Sequence, residues 1–378
     1  MKTGLNINSH HEKLDNRFMF YLLSNTPTIG AISIMKLYNQ FPELKELLEL
    51  DSKELASMEI LHKGQVNELV QNRDNIDTIY EEFRYMEQSD ISFITYEDED
   101  YPNKLRNISS APMVLYVKGE LPDTETPSVA IVGARASTNY GISSAEFFSE
   151  YLANEGINII SGMARGIDGA AHRGALKSRN GKTYSILGCG VNIIYPRENM
   201  DIYEAVYAGG RGGILSEVPP GTSAVSQNFP IRNRIISGLA DVVLIVEARE
   251  KSGSLITADL ALDQGKDVMA IPGRITDPMS KGCNALISAG ARIANSPSDV
   301  LDVLNICVRG EMNFPEKNIK LLANKEKIVY STLDSAPKHT EEIVYLTGLP
   351  MQEVVSILIE LELKGFAVQI SSNYYGAV

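Results

Sequence analysis

The chain has 378 residues, 44% hydrophobic and 22% charged, a globular balance that supports two or three domains with real cores. Its formal net charge of −13 speaks against a polyanion partner, yet the acidity is peripheral. Residues 127–300 hold 16 Lys and Arg against 16 Asp and Glu, residues 1–126 hold 12 against 22, and residues 301–378 hold 7 against 10. Local potential rather than net charge steers a polyanion, so a basic groove on the middle segment stays open beside the plainer reading of an acidic protein without such a partner. The three cysteines, Cys189, Cys283 and Cys307, form no CxxC and fit a reducing compartment better than disulfides or zinc. The five histidines show no metal-ligand spacing, so neither metal nor cofactor is expected. No stretch approaches the roughly 20 apolar residues of a membrane span, and the first residues lack the apolar core of a secretory signal. A cytoplasmic setting with no membrane partner is expected.

Residues 17–87 are predicted helical. Phe18, Leu22, Ile34, Leu37, Leu44 and Leu48 recur at helical spacing around a break at Thr26-Pro27-Thr28-Ile29-Gly30. Strand-like runs follow at 91–96 and 114–117. From Ser128 onward strand, Gly-rich turn and helix alternate, with strands at 129–132, 157–160, 183–187, 213–215, 242–246 and 268–271. Helices are predicted at 143–154, 168–177, 203–208, 232–238 and 255–264. Several strands are uniformly apolar, as strands covered on both faces are. This alternation implies an α/β, doubly wound, mostly parallel sheet whose ligands sit at the carboxyl ends of its strands. Residues 306–320 read as a linker. Beyond it, a helix at 341–345, a turn at Thr347-Gly348-Leu349-Pro350, a helix at 351–364 and a strand pair at 367–370 and around Tyr374 make the winged-helix pattern. The predicted domains are therefore 1–87, 88–305 and 321–378.

Five segments fall at the strand ends. In Val129-Ala130-Ile131-Val132-Gly133-Ala134-Arg135 a strand ends in glycine, and free backbone amides beside Arg135 suit a phosphate. The glycines of a dinucleotide fingerprint are missing, and a tight turn with a solvated arginine is the alternative. In Ser161-Gly162-Met163-Ala164-Arg165-Gly166-Ile167-Asp168 a hydroxyl, small residues and a cation precede a helix start, which attracts anions. Asp168 is expected to cap that helix or hold Arg165, and His172 to be structural. Gly188-Cys189-Gly190-Val191 serves close packing or a ligand, and nothing nearby lowers the pKa of Cys189. Asn228-Phe229-Pro230-Ile231-Arg232-Asn233-Arg234 sets an aromatic plane beside two guanidinium groups, suited to an unstacked base and its phosphate. Arg232 and Arg234 are two apart, so at least one is expected to be free for a ligand; a core Phe with surface arginines is the alternative. Ser252-Gly253-Ser254 opens a helix as an anion nest or a plain cap. Glu247 and Glu217 end strands at the same sheet edge and leave a hydrolase open as a rival.

Together these segments resemble the DprA/Smf family of DNA-processing proteins. The matching stretches are VAIVGARAST (129–138), SGMARGIDGAAHRGAL (161–176), LGCGVNIIYP (187–196), ILSEVPPG (214–221), FPIRNRIISGL (229–239), VEAREKSGSLITADLAL (246–262), IPGRI (271–275) and SKGCNALISAGA (280–291). YEDEDYPNKL (96–105) and LYVKGEL (115–121) look like the family's lead-in. The resemblance implies an extended Rossmann-like fold that binds single-stranded DNA without sequence readout and catalyses no reaction. It further implies delivery of that DNA to the RecA recombinase in natural transformation, and a homodimer through the Rossmann-like domain. With the turns above, the expected DNA-binding residues are Gly133, Arg135, Ser161, Gly162, Met163, Ala164, Arg165, Gly166, Phe229, Arg232, Asn233, Arg234, Ser252, Gly253 and Ser254. Asp168, His172 and Glu247 are expected to be structural or orienting.

The flanks depart from the family pattern. The first domain looks like a SAM-like or helix-hairpin-helix module, but its break keeps one hairpin glycine, Gly30, so packing or partner contact is expected there. The second helix of the winged-helix domain carries Glu353, Glu360 and Glu362 against Lys364. Phosphate repulsion then makes that domain a protein-contact or structural module. Among the rivals, a nucleotide phosphoribohydrolase of the lysine-decarboxylase-like type needs a PGGxGTxxE-like stretch, and residues 252–260 supply no Glu after Thr257. A nucleotide-binding sensor using the same strand ends is the third reading.

Overall fold

A computed structural model describes residues 14–123, 125–306, 322–334, 337–364 and 366–377. The predicted linker lies outside the described residues from residue 307 onward. Packing divides the chain into two units, Met1–Cys307 and Val308–Val378.

The amphipathic N-terminal stretch folds into α1 (Asn16–Ser24), α2 (Ala31–Gln40), α3 (Ser52–Ser57), α4 (Lys63–Asp74) and α5 (Ile76–Glu87). Asp15 starts α1 by accepting from the Phe18 amide at 2.9 Å, which satisfies one of the amides a helix start leaves open. The buried side of α1 feeds a run of ring contacts: Tyr21 to Phe83 at 5.1 Å, Phe83 to Phe93 at 6.0 Å, and Phe93 to Tyr116 at 5.2 Å. That run crosses from the helices into β1 (Ser92–Thr95) and β2 (Val114–Gly119), so helices and sheet share one core. Each such ring pair adds roughly 0.5–1.5 kcal/mol beyond area burial. The short α6 (Asn103–Arg106) joins the two strands.

The alternating region follows as β3 (Ser128–Val132), α7 (Asn139–Asn154), β4 (Asn158–Ser161), α8 (Ile167–Lys177), β5 (Thr183–Ile186), α9 (Met200–Tyr207), β6 (Gly212–Ser216) and α10 (Asn228–Leu239). It continues with β7 (Val242–Ile245), α11 (Gly253–Asp263), β8 (Asp267–Ala270), α12 (Lys281–Ser288), β9 (Arg292–Ile293) and α13 (Pro297–Val303). The nine strands lie in the order β1-β2-β6-β5-β4-β3-β7-β8-β9. Pairing is parallel from β6 to β9, and antiparallel where β2 meets β1 and β6. All residues of β3, β4, β5, β6 and β7 are buried, which is why these runs are mostly apolar and carry no charged residue. The chain winds from β3 to β6 in one direction and from β7 to β9 in the other. Adjacent β3 and β7 therefore form the switch point, where open α/β sheets leave a crevice.

Two helices begin four residues earlier than their apolar periodicity predicts. Thr138 caps α7, its hydroxyl accepting from the Gly141 amide at 3.2 Å. In α10, Pro230 lies in the first turn, where a missing N–H costs nothing. The short elements α12, β9 and α13 carried too weak a pattern to be predicted.

In the second unit, α14 (Asn324–Thr332), β10 (Lys338–His339), α15 (Thr340–Thr347), α16 (Met351–Leu363), β11 (Ala367–Ser371) and β12 (Tyr374–Ala377) form a winged helix. Its sheet has the order β10-β12-β11. Val329, Ile343, Val354, Leu358 and Leu361 fill its core. Gly348, at φ 66°, ends α15 in the left-handed conformation that glycine adopts without strain. No single described helix is long and apolar enough to cross a membrane.

Candidate nucleic-acid interface

The carboxyl ends of β3, β4 and β7 surround a groove of about 490 Å³ at the switch point. Of the residues expected to bind, Gly133, Arg135, Ala164, Phe229, Arg232, Asn233, Ser252, Gly253 and Ser254 line it, together with Asp168. Arg249, Lys251, Ser226 and Thr257 join them.

Arg135, Arg249 and Lys251 are exposed. Unlike Arg165 and Arg234, they enter no ion pair among the described residues. The Arg135 guanidinium lies over the Phe229 ring, 5.0 Å from its centroid, and Arg249 Nε donates to Met279 Sδ at 3.1 Å. Neither contact neutralises the charge. Beside them, α11 opens with Ser252 as its cap, the Ser252 hydroxyl meeting Ser254 Oγ at 2.8 Å. Unpaired cations and a helix N-terminus in one concavity create a local positive potential on an acidic chain.

The second turn packs largely inward, and of its expected residues Ser161, Gly162, Met163, Arg165 and Gly166 do not line the groove. Ser161 is buried and its hydroxyl donates to Ile131 O at 2.7 Å. Met163 is buried. Gly162 O accepts from Arg232 Nη1 at 2.9 Å. Gly166 has φ 74°, and a side chain there would begin 2.3 Å from Ala134 O, so this glycine lets the second turn close onto the first. Arg165 is exposed but held by Glu198, with Nε at 3.1 Å and Nη2 at 2.5 Å from one carboxylate oxygen. Asp168 neither caps α8, whose cap is Gly166, nor touches Arg165. It is buried and faces Arg232: both would lie within 2.6 Å of a side chain begun at Gly162. Burial is the largest influence on each, pushing Arg232 down to about 10, still cationic at neutral pH, and raising Asp168.

Neither Arg232 nor Arg234 is free, a second correction. Starting α10 at Asn228 turns both inward, to 4% and 7% exposure. Arg232 donates to the carbonyls of Gly162 and Ile186, tying the ends of β4 and β5 to α10. Arg234 forks onto Glu217 at 2.8 and 2.5 Å and reaches Ser110 O at 2.8 Å. Such planar pairing is the use for which guanidinium is best shaped.

Glu247 is buried and accepts from the Thr138 amide at 2.9 Å and its hydroxyl at 2.5 Å, fixing the start of α7. His172 Nδ1 lies 2.7 Å from Thr183 Oγ1, which itself donates to Ile159 O at 2.8 Å. Nδ1 therefore carries the proton, and burial pushes the His172 pKa down to about 3. Burial also pushes Cys189 up to about 11, which leaves it a poor nucleophile.

Three residues of this edge escaped the sequence reading. Arg249 and Lys251 lie in the loop between β7 and α11, a placement that marks strand-end cations. Tyr195 stacks on Phe229 with ring centroids 5.6 Å apart and planes at 23°. The signal was two aromatic-proline pairs, Tyr195-Pro196 and Phe229-Pro230, both beyond strands of the same sheet.

Residues 92–305 match the family described as DNA recombination-mediator protein A, and residues 315–372 match the DprA winged helix domain. Protein Smf of Escherichia coli is 37% identical over 303 residues, spanning 77% of this chain and 78% of that protein. The X-ray structure of DNA processing protein A from Streptococcus pneumoniae superposes with a TM-score of 0.66 at 33% identity, covering 80% of this chain and 100% of that one. A structure of DNA processing protein A from Helicobacter pylori, described for its single-stranded DNA binding mode, covers 58% of this chain and 97% of its own, with a TM-score of 0.51 and 30% identity. The chain belongs to the DprA/Smf family of DNA-processing, recombination-mediator proteins.

Proposed function

We propose that this chain binds single-stranded DNA in the switch-point groove, without catalysis, and passes it to a RecA-type recombinase during uptake of transforming DNA. The observation that carries this reading is the grouping of three unpaired cations, Arg135, Arg249 and Lys251, with the α11 N-terminus and an aromatic stack. Cations and amides hold phosphates, ring faces accept any base, and sequence-tolerant single-strand binding follows. A homodimer through the Rossmann-like domain and a cytoplasmic setting belong to the same reading, by family.

The hydrolase reading fares worse because its carboxylates are engaged. Glu247 fixes α7 and Glu217 holds Arg234. Asp168, the one carboxylate among the described residues lining the groove, is buried facing Arg232. The test is anisotropy of a fluorescent oligo-dT titrated against salt, with duplex of equal length as control. Tight, salt-sensitive binding of the single strand alone is expected. No binding at low salt, or base released from nucleoside monophosphates, would reject the reading.

A further inference from the structure

We infer that the nucleobase nearest Arg135 stacks on Tyr195 and that Phe229 serves as the layer beneath it; this rests on the single-strand reading above. The Phe229 ring is half-buried and already has neighbours. Arg135 lies over it at 5.0 Å, Tyr195 stacks on it at 5.6 Å, and a side chain begun at Gly188 would sit 2.9 Å from its Cδ1. Arg135 and Tyr195 make no ring contact with one another among the described residues, so they cover different parts of one ring. A base reaching Phe229 must displace either the cation that holds its phosphate or the Tyr195 ring.

Tyr195 is the more open of the two rings. It is 44% exposed, and its hydroxyl has no hydrogen-bond partner among the described residues. Its segment is nonetheless fixed. Asn199 Nδ2 donates to the carbonyls of Met163 and Ala164 at 2.9 and 3.1 Å, and Gly190 N donates to Thr222 O at 2.9 Å. An exposed ring on an anchored segment offers stacking surface with little ordering cost. Phosphate on Arg135 and base on Tyr195 then bracket a single aromatic layer.

The chain contains no tryptophan, so Tyr195→Trp supplies a single fluorescent reporter. Saturating oligo-dT is expected to quench it, while Tyr195→Phe binds as the wild type does. Tyr195→Ala, checked for an unchanged melting curve, is expected to bind about fivefold or more weakly with an unaltered salt slope, because stacking releases no counterions. Unchanged affinity of Tyr195→Ala overturns the inference. So does an unquenched Tyr195→Trp whose binding is visible by anisotropy of a labelled oligomer; the base would then lie elsewhere. If the wild-type chain shows no anisotropy change, the single-strand reading itself fails and this inference falls with it.

Discussion

The switch-point groove and the winged helix are both scaffolds on which nucleic acid can be held, and they present opposite charge. In the groove, Arg135, Arg249 and Lys251 are open and the one lining carboxylate is buried. In the winged helix three of the four described lysines are claimed: Lys364 by Glu326 at 2.5 Å, Lys325 by Glu353, and Lys338 by Asp334 at 2.7 Å, with Lys327 left unpaired among the described residues. Its longest helix, α16, exposes Glu360 and Glu362. The difference lies less in how many cations each region owns than in whether a carboxylate has already taken them. Fold alone therefore does not assign binding; the free charge is what supports the proposal for the groove.

The largest expected effect falls on the groove's scaffolding. Arg232→Met removes the donor to two buried carbonyls and leaves Asp168 without its cation, and should cost about 3–5 kcal/mol in urea unfolding. A loss under 1 kcal/mol would show that the strand ends hold themselves.

Acid should separate the two units next. His172 titrates near 3 when folded and at 6.5 in an unconstrained chain. As pH falls, the unfolded chain takes up this proton first. The stability His172 confers is thus complete above about pH 6.5 and drains away toward pH 3, by up to about 1.4 kcal/mol per pH unit. His172→Gln should flatten the pH dependence of unfolding over that window. An unchanged slope would mean that other groups dominate. The winged helix has no buried histidine among its described residues and should not share this dependence.

Arg135→Ala should weaken oligo-dT binding by roughly tenfold and lower the salt slope by about one. An unchanged slope would remove Arg135 from the phosphate path. Glu198→Gln tests the comparison in the opposite direction. Releasing Arg165 adds a cation beside the groove, and affinity should rise about twofold at low salt; no change would leave Arg165 outside the binding surface. The smallest effect is expected from the winged helix. Deleting residues 321–378 should leave affinity nearly intact, and a tenfold loss, about 1.4 kcal/mol, would refute the view that this unit does not hold DNA.

Much of the sheet was legible because its code is local. Uniformly apolar runs marked the parallel strands, and glycines after β3 and β4 marked the turns. Gly133, Arg135 and Ser252 could be placed at one edge from strand and helix alternation alone. The fate of Arg232 and Arg234 could not, because it depends on where α10 begins, and Pro230 sits inside that helix rather than ahead of it. The acidic flanks were visible as composition, whereas the pairing of Lys364 with Glu326 was not.

Residue order alone conveyed the α/β class, the winged helix and the glycine-rich turns at the strand ends, since periodicity and glycine placement act over a few residues. Only the folded chain showed that β3 and β7 are neighbours, that Glu198 occupies Arg165, and that Tyr195 lies on Phe229. Those outcomes rest on contacts between segments far apart in sequence. Whether a cation stays free for a ligand is settled by which carboxylate or carbonyl comes within about 4 Å of it, and no local pattern encodes that distance.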